Sequence, residues 1–175
     1  MSRYLLATFL ASHGLACFAA ATSSQEAKPS SPPRQQADEH VATYGNVRYQ
    51  YTIDYPADLL AAGREADDSD GVVFSAKSGT AQVTVWGRFN ANDDTPAQIL
   101  RSEEQGPCAG VRASYEVSKR HLVAFSCQTP TNEVVYEKMI IHGDTLVAVQ
   151  FVYPVAEQAT WSPVIKQMSG SLRIE

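Results

Sequence analysis

Hydrophobic and polar side chains alternate along several stretches of the chain, with the spacing that a half-buried β-strand requires. From Val47 to Tyr55 every second residue is apolar or aromatic, the residues between them are polar, and Pro56 follows. This pattern predicts one strand over residues 47–55, with one face in a core and the other in solvent.

Further apolar runs of strand length are found at 72–74, 81–86, 111–117, 122–126, 134–141 and 145–153. Turn-forming residues separate the first and second of these runs, the third and fourth, and the fifth and sixth. We therefore expect three antiparallel hairpins in this part of the chain.

Two segments carry helix signals. Thr95 followed three residues later by Gln98, with a proline directly after the threonine, is typical of a capped helix start, and Gly106 is expected to end this helix. Ser162 and the proline after it predict a short C-terminal helix over residues 164–168, capped by Gly170. Because strands outnumber helices, the expected class is α+β, an antiparallel sheet with helices packed on its faces.

The N-terminal residues have the pattern of a secretory signal peptide. One basic residue precedes a short apolar run, and the small residues Ala19 and Ala21 fit a cleavage site. We expect residues 1–21 to be removed on export to the periplasm or the exterior, and polar residues within the run argue against a permanent membrane span. Cys17 leaves an alternative open, a lipoprotein anchored through this residue, although Gly14 stands where such signals have a large aliphatic side chain.

Residues 22–43 are rich in Ser, Pro and Gln and contain almost nothing that a core could bury. This composition predicts a disordered linker. We expect a single globular domain over residues 44–175, because a stretch of this length can bury one core and is too short for two.

The charge of the chain argues against one class of partner. It has 14 Lys plus Arg and 19 Asp plus Glu, a net charge of −5. Nucleic-acid binding needs a basic face that neutralises phosphates, so we expect no nucleic-acid partner. An acidic domain is better suited to association with a basic protein.

Two cysteines remain after removal of the predicted signal peptide, Cys108 and Cys127. An even number of cysteines in an exported domain is typical of a disulfide. The bond would close a loop of about twenty residues and would stabilise the domain by roughly 3 kcal/mol in the chain-entropy model.

Motifs for catalysis, metals and cofactors are absent from the sequence. The chain has no GxSxG, HExxH, CxxC, GxGxxG or phosphate-binding loop. The acidic residues 67–71 resemble a calcium loop, but Lys77 stands where an EF-hand needs a bidentate glutamate, so we expect a solvated turn. We predict no catalytic residue, no metal and no cofactor.

Trp86 and Arg88 lie at the end of a predicted strand. Tryptophan and arginine are enriched in the contact surfaces of binding proteins. These two residues are therefore the candidate contact surface, and the packing of a strand aromatic is the plainer interpretation of Trp86.

Six segments have a recognisable order along the chain. They are YTIDYPADLL at 51–60, DGVVF at 70–74, AQVTVWG at 81–87, YEK at 136–138, FVYP at 151–154 and SGSLR at 169–173. Together they resemble small secreted proteobacterial proteins that are similar to the PsbP-like fold. The resemblance covers about residues 44–175 and implies an α/β/α sandwich without catalytic residues. It departs from the pattern at Cys127, which stands where these proteins have a glycine.

These observations favour a non-enzymatic binding or accessory protein of the cell envelope, with a protein or a small molecule as its ligand. Two alternatives stay open. One is an immunity protein or inhibitor that neutralises a toxin or a lytic enzyme in the periplasm. The other is a hydrolase whose carboxylates are paired in space rather than in sequence.

Overall fold

The computed structural model describes residues 40–175; the predicted signal peptide, Cys17 and the linker residues 22–39 lie outside this range. The strands are β1 (Val41–Asn46), β2 (Tyr51–Pro56), β3 (Leu60–Glu65), β4 (Gly71–Ala76), β5 (Gln82–Phe89), β6 (Tyr115–Lys119), β7 (Leu122–Gln128), β8 (Glu133–His142), β9 (Thr145–Pro154) and β10 (Arg173–Ile174). The helices are α1 (Pro96–Glu104) and α2 (Gln158–Ser171), and a 3₁₀ turn (Val155–Glu157) leads into α2.

Two antiparallel sheets form the domain. The large sheet has seven strands in the order β3-β4-β5-β9-β8-β7-β6, and the small sheet has three in the order β1-β2-β10. α1 packs against β6 and β7 on one face of the large sheet, the α1 side. α2 packs against β9 and β2 on the other face, the α2 side, together with the small sheet. The predicted α+β class, with helices on both faces of an antiparallel sheet, is confirmed.

Alternate residues of the central strand β9 point into two different cores, because successive side chains of a strand leave opposite faces. Val149 and Phe151 are fully buried with Met168 of α2 on the α2 side. Ala148 is fully buried with Ile99 of α1 on the α1 side. The continuous apolar run of β9 thus reflects burial on both faces.

The hairpins β4–β5, β6–β7 and β8–β9 and the start of α1 are confirmed. Thr95 caps α1 with a complete capping box, and Ile99 and Leu100 are its buried residues. The second of these hairpins, β6–β7, begins later than predicted, at Tyr115 rather than residue 111, because the segment after α1 turns toward a disulfide at Cys108 before it joins the sheet.

The prediction of one strand over residues 47–55 is wrong. β1 and β2 are separate strands, joined by a turn at residues 47–50. Asn46 Oδ1 accepts a hydrogen bond from the Tyr49 N–H at 2.9 Å, and Gln50 has a φ of 51°, which reverses the chain. Tyr49 and Tyr51 are both buried, so the apolar alternation continues through the turn.

The linker boundary also differs from the prediction. β1 begins at Val41, so residues 41–43, predicted to belong to the linker, pair with β2. Thr43 Oγ1 donates a hydrogen bond to Asp54 Oδ1 at 2.6 Å. Backbone pairing and this contact place polar residues in the sheet without an apolar signal in the sequence.

α2 is longer at both ends than predicted. It begins at Gln158 and includes Pro163, and it continues through Gly170, which is therefore not its cap. Trp161 explains the early start, because it is buried in the core and its Nε1 donates a hydrogen bond to Glu157 at 2.9 Å. β3 was not predicted, since its sequence LAAGRE has no strand-like alternation.

Candidate functional site

The α1 side of the large sheet is only partly covered. α1 has nine residues, which gives a length of about 14 Å, whereas seven strands span about 29 Å. The helix lies over β6 and β7. The uncovered part over β4, β5 and β9, which we call the open face, carries Val73, Thr84, Trp86, Arg88 and Gln150.

One row of cross-strand neighbours runs from the open face to beneath α1. Val73 pairs with Thr84, Thr84 with Gln150, Gln150 with Glu137, and Glu137 with Phe125. Neighbours in such a row share one face of the sheet. Val73 is 40% exposed at one end, and Phe125 is fully buried at the other.

A cavity of about 310 Å³ opens at the β4 edge of the open face. Val73, Thr84 and Trp86 contribute to its lining, and Arg64 and Asp70 stand at its border. β3 has an irregular register between Ala62 and Glu65, so it does not fully cover this edge of β4. The cavity combines an aromatic surface with charged groups at its rim.

Trp86 and Arg88, the predicted contact residues, both lie on the open face. Trp86 is half-buried and packs against the α1-side core. Arg88 forms an ion pair with Glu103 of α1, with Nη2 and Oε1 2.7 Å apart. Packing and this ion pair hold the two side chains in place, and their role in binding stays a prediction.

Glu137 is a carboxyl group buried beneath α1, with 1% of its surface exposed. Its Oε2 accepts a hydrogen bond from Gln150 Nε2 at 2.8 Å, and its Oε1 has no partner among residues 40–175. Burial, and then the negative charge of Glu103, raise the pKa of Glu137 to about 8, against the weaker opposing effects of Gln150 and Arg88. Burial thus favours the neutral form of this carboxyl over the ionised one.

An acidic turn borders the cavity. Residues 66–69 are exposed between β3 and β4, which confirms the predicted solvated turn. Burial, and then Asp68, raise the pKa of Asp70. Among residues 40–175 no group of three or more His, Cys, Asp or Glu side chains is arranged to hold a metal ion.

A second exposed apolar group lies at the turn between β1 and β2. Val47 is 91% exposed, and Phe89, which is 55% exposed, packs on Tyr49 with ring centroids 5.1 Å apart. The Arg48 guanidinium lies 5.1 Å from the centre of the same tyrosine ring. A cavity of about 460 Å³ at this turn is lined by Val47, but neither Phe89 nor Arg48 contributes to its lining, so this group is a weaker candidate than the open face.

Cys108 and Cys127 form a disulfide, as predicted, with their Cα atoms 6.0 Å apart. Both residues are buried in the α1-side core. The bond joins the segment after α1 to β7, which stabilises the covered half of this side. Neither helix within residues 40–175 is long and apolar enough to cross a membrane.

No motif or residue pattern selects Val73, Gln150 or Glu137 for this site. Val73 lies in an ordinary apolar strand run, and only the length and position of α1 leave it uncovered. Glu137 could have been identified from the sequence, because it occupies a core-facing position of β8 between Val135 and Met139. A charged residue at such a position must be either paired or neutral.

No protein-family model matches the chain, and no curated protein matches its sequence. Solved structures do match. A solution structure of the cyanobacterial PsbP protein CyanoP from Synechocystis superposes with a TM-score of 0.55 at 10% identity, covering 81% of this chain and 96% of that one. The Ran-binding protein Mog1p of Saccharomyces cerevisiae superposes with a TM-score of 0.57 at 12% identity, covering 78% and 96%.

The chain has a PsbP-like fold. At these identities the likeness establishes the fold alone, and it confirms the fold that the resemblance in the sequence implied. The PsbP-like fold is thus shared by CyanoP, by a protein described as Ran-binding, and by this chain.

Proposed function

We propose that this chain is an exported, non-enzymatic binding protein that holds a protein partner on its open face. The partner surface that fits is a basic side chain beside an apolar or aromatic one. The observation that carries the proposal is the uncovered apolar surface around Val73 and Trp86, on interior strands of the large sheet whose opposite face is buried at these same strands.

Apolar surface on an interior strand is costly to leave in water, and an exposed patch of this kind indicates a contact surface. Val73 is exposed beside the cavity of about 310 Å³ that Trp86 helps to line. A cavity of this size accommodates a large side chain of a partner. Trp86 and Arg88 are held in position by packing and by Glu103, so little side-chain entropy is lost on binding.

The charge around the cavity favours a basic partner. Asp67, Asp68 and Asp70 lie in or next to the turn that borders it. Arg64 is engaged with Asp67 at 2.6 Å. Together with the net charge of −5 for the whole chain, this arrangement attracts a positively charged surface.

Export is supported by the signal-like N-terminus and by the disulfide, since disulfides persist in oxidising compartments. We place the protein in the periplasm or the exterior on these grounds. A role as an inhibitor of a toxin or lytic enzyme is one specific form of the same proposal.

The absence of catalysis is part of the proposal. Glu137 has the raised pKa that a general acid needs, but with 1% exposure it does not reach a substrate. Turnover by the purified protein that is lost in Glu137→Gln would overturn this part.

The test compares two exposed valines on different sheets. Val73 is 40% exposed on the open face, and Val41 is 45% exposed on β1. Tagged full-length protein is cross-linked in the cells that make it, and bound proteins are quantified by mass spectrometry. We expect wild type and Val41→Asp to recover the same stoichiometric partner, and Val73→Asp to recover at least about tenfold less of it, because a buried unpaired charge costs more than 1.4 kcal/mol.

Circular dichroism verifies that both variants are folded. Equal recovery by all three proteins would show that the partner contacts another surface. Recovery of no stoichiometric partner by wild type would contradict a protein ligand. A recovered toxin or lytic enzyme that loses activity on binding would identify the protein as an inhibitor.

A further inference from the structure

Glu137 and Gln150 connect the buried part of the α1 side to the open face. Their backbones pair directly in β8 and β9, and their side chains are joined by the 2.8 Å hydrogen bond between Gln150 Nε2 and Glu137 Oε2. Glu137 is buried, whereas Gln150 is partly exposed and is followed in the row by Thr84 of the open face. One end of the Gln150 amide therefore faces Glu137, and the other end is available to the open face.

The charged groups around Glu137 come from two elements. Glu103 on α1 disfavours the ionised form, and Arg88 on β5 favours it. The neighbours on the adjacent strands, Phe125 of β7 and Gln150 of β9, are uncharged. Lys138 leaves β8 on the opposite face and contacts the Ser169 carbonyl of α2. Glu137 can thus change its charge without breaking a direct ion pair.

The two forms of a carboxyl group need different partners. The ionised group only accepts hydrogen bonds, so it requires the NH₂ end of the amide, as seen here. The neutral group carries one O–H donor, and a buried donor without an acceptor is destabilising. Within residues 40–175, Gln150 is the side chain hydrogen-bonded to this carboxyl, so its carbonyl oxygen is the acceptor at hand.

We propose that the protonation of Glu137 sets which end of the Gln150 amide the open face presents to a partner. With Glu137 ionised, the NH₂ group of Gln150 points inward and its carbonyl oxygen faces the open face as an acceptor. With Glu137 neutral, the amide is reversed, and the open face presents the NH₂ group as a donor. The buried carboxyl thereby selects the hydrogen-bonding character of the partner atom that Gln150 contacts.

The inference rests on the proposed function only where it concerns a partner; the orientation of the amide is a property of the protein alone. It can be measured on the full-length chain by NMR, without a partner. The Glu137 ¹³Cδ resonance reports its ionisation, and the ¹H–¹⁵N resonances of the Gln150 side chain report the environment of its NH₂ group. The side-chain ¹H–¹⁵N resonances that disappear in Gln150→Met are assigned to Gln150.

We expect both groups to titrate together, with one midpoint near pH 8. Glu137→Gln should abolish the titration of Gln150. Gln82 of β5, an exposed glutamine on the same face of the sheet as Gln150, is the matched control. Its side-chain resonances should not change in this pH range. An invariant Gln150 amide while Glu137 ionises would overturn the inference, and so would ionisation of Glu137 at the usual pH of about 4.3.

A second variant keeps the test valid if Glu137→Gln does not fold. Gln150→Met removes a hydrogen bond to either form, and the bond to the ionised group is the stronger of the two, so the Glu137 midpoint should move upward. An unchanged or lower midpoint would contradict the direct coupling of the two side chains.

The affinity for the partner is then measured at about pH 6 and about pH 10. This measurement separates the amide reversal from the binding function of the open face. A several-fold change in affinity in wild type, absent in Glu137→Gln, supports both. Coupled titration without any effect on partner binding supports the amide reversal and contradicts its use by the open face. Failure of the coupled titration overturns the inference and leaves the valine comparison of the proposed function unaffected.

Discussion

The two faces of the large sheet differ in how they are covered, and β4 shows the difference within two adjacent residues. Phe74 faces the α2 side and is fully buried beneath the small sheet, whereas Val73 faces the α1 side and is 40% exposed. The α2 side has a helix of fourteen residues and a second sheet, and the α1 side has a helix of nine. The same apolar run thus contributes core on one face and exposed surface on the other.

The largest change in the free energy of unfolding is expected in β4, where adjacent residues face the two sides of the sheet. Phe74→Ala should lower the free energy of unfolding by about 3–5 kcal/mol, because it leaves a cavity in the closed core. Val73→Ala should change it by less than about 0.5 kcal/mol. Urea unfolding measures both, and comparable losses in the two variants would show that the open face is packed in solution.

The next largest effect is the pH dependence of stability that arises from Glu137, the buried carboxyl on the α1 side. Burial raises the pKa of Glu137 from 4.5 to about 8, so between these values the native protein binds a proton that the unfolded chain has lost. The stability contribution of this group is therefore complete below pH 4.5 and is lost as the pH rises through 8, a decrease of roughly 4 kcal/mol.

Glu137→Gln should remove most of this decrease, so the variant should be more stable than wild type at about pH 9. Urea unfolding across the pH range, with wild type as the reference, measures the slope. An unchanged slope in Glu137→Gln would assign the pH dependence to other groups.

The disulfide tests the covered half of the α1 side, because Cys108 and Cys127 are buried there. Replacing Cys108 and Cys127 together with serine should cost roughly 3 kcal/mol, the value for a loop with a sequence separation of 19. Denaturant unfolding is measured for the variant and for wild type with and without reductant. The variant and the reduced wild type should show the same loss in the free energy of unfolding. A reductant-insensitive wild type would mean that the bond is not formed in solution.

The smallest effect is expected at the start of α1. This helix buries only Ile99 and Leu100, so it depends on its cap more than α2, which buries four residues and has no side-chain cap hydrogen bond. Thr95→Ala should cost about 1 kcal/mol. Thr160→Ala, an exposed position in α2, is the control and should be nearly neutral in thermal unfolding.

Local patterns in the sequence predicted the three hairpins, the capped start of α1, the disulfide and the α+β class. They failed where long-range contacts decide. The turn at residues 47–50 was hidden because Tyr49 is buried like a strand residue. The extension of α2 depends on the burial of Trp161 in the α2-side core, which no local signal announces.

The candidate site was predictable only in part. Trp86 and Arg88 were selected by residue type, and both lie on the open face. The exposure of Val73 depends on how far α1 reaches across the sheet, which the sequence of either element does not determine. The burial of Glu137 follows from its phase in β8, but its contact with Gln150 depends on the register between two strands.

The most direct test of the account is photo-cross-linking from the open face in living cells. A benzoylphenylalanine is placed at Val73 in one variant and at Val41 in the other, two exposed valines on different sheets. The account predicts one discrete cross-linked protein from position 73 and none from position 41. The same adduct from position 41, with none from position 73, would contradict the open face as the binding surface.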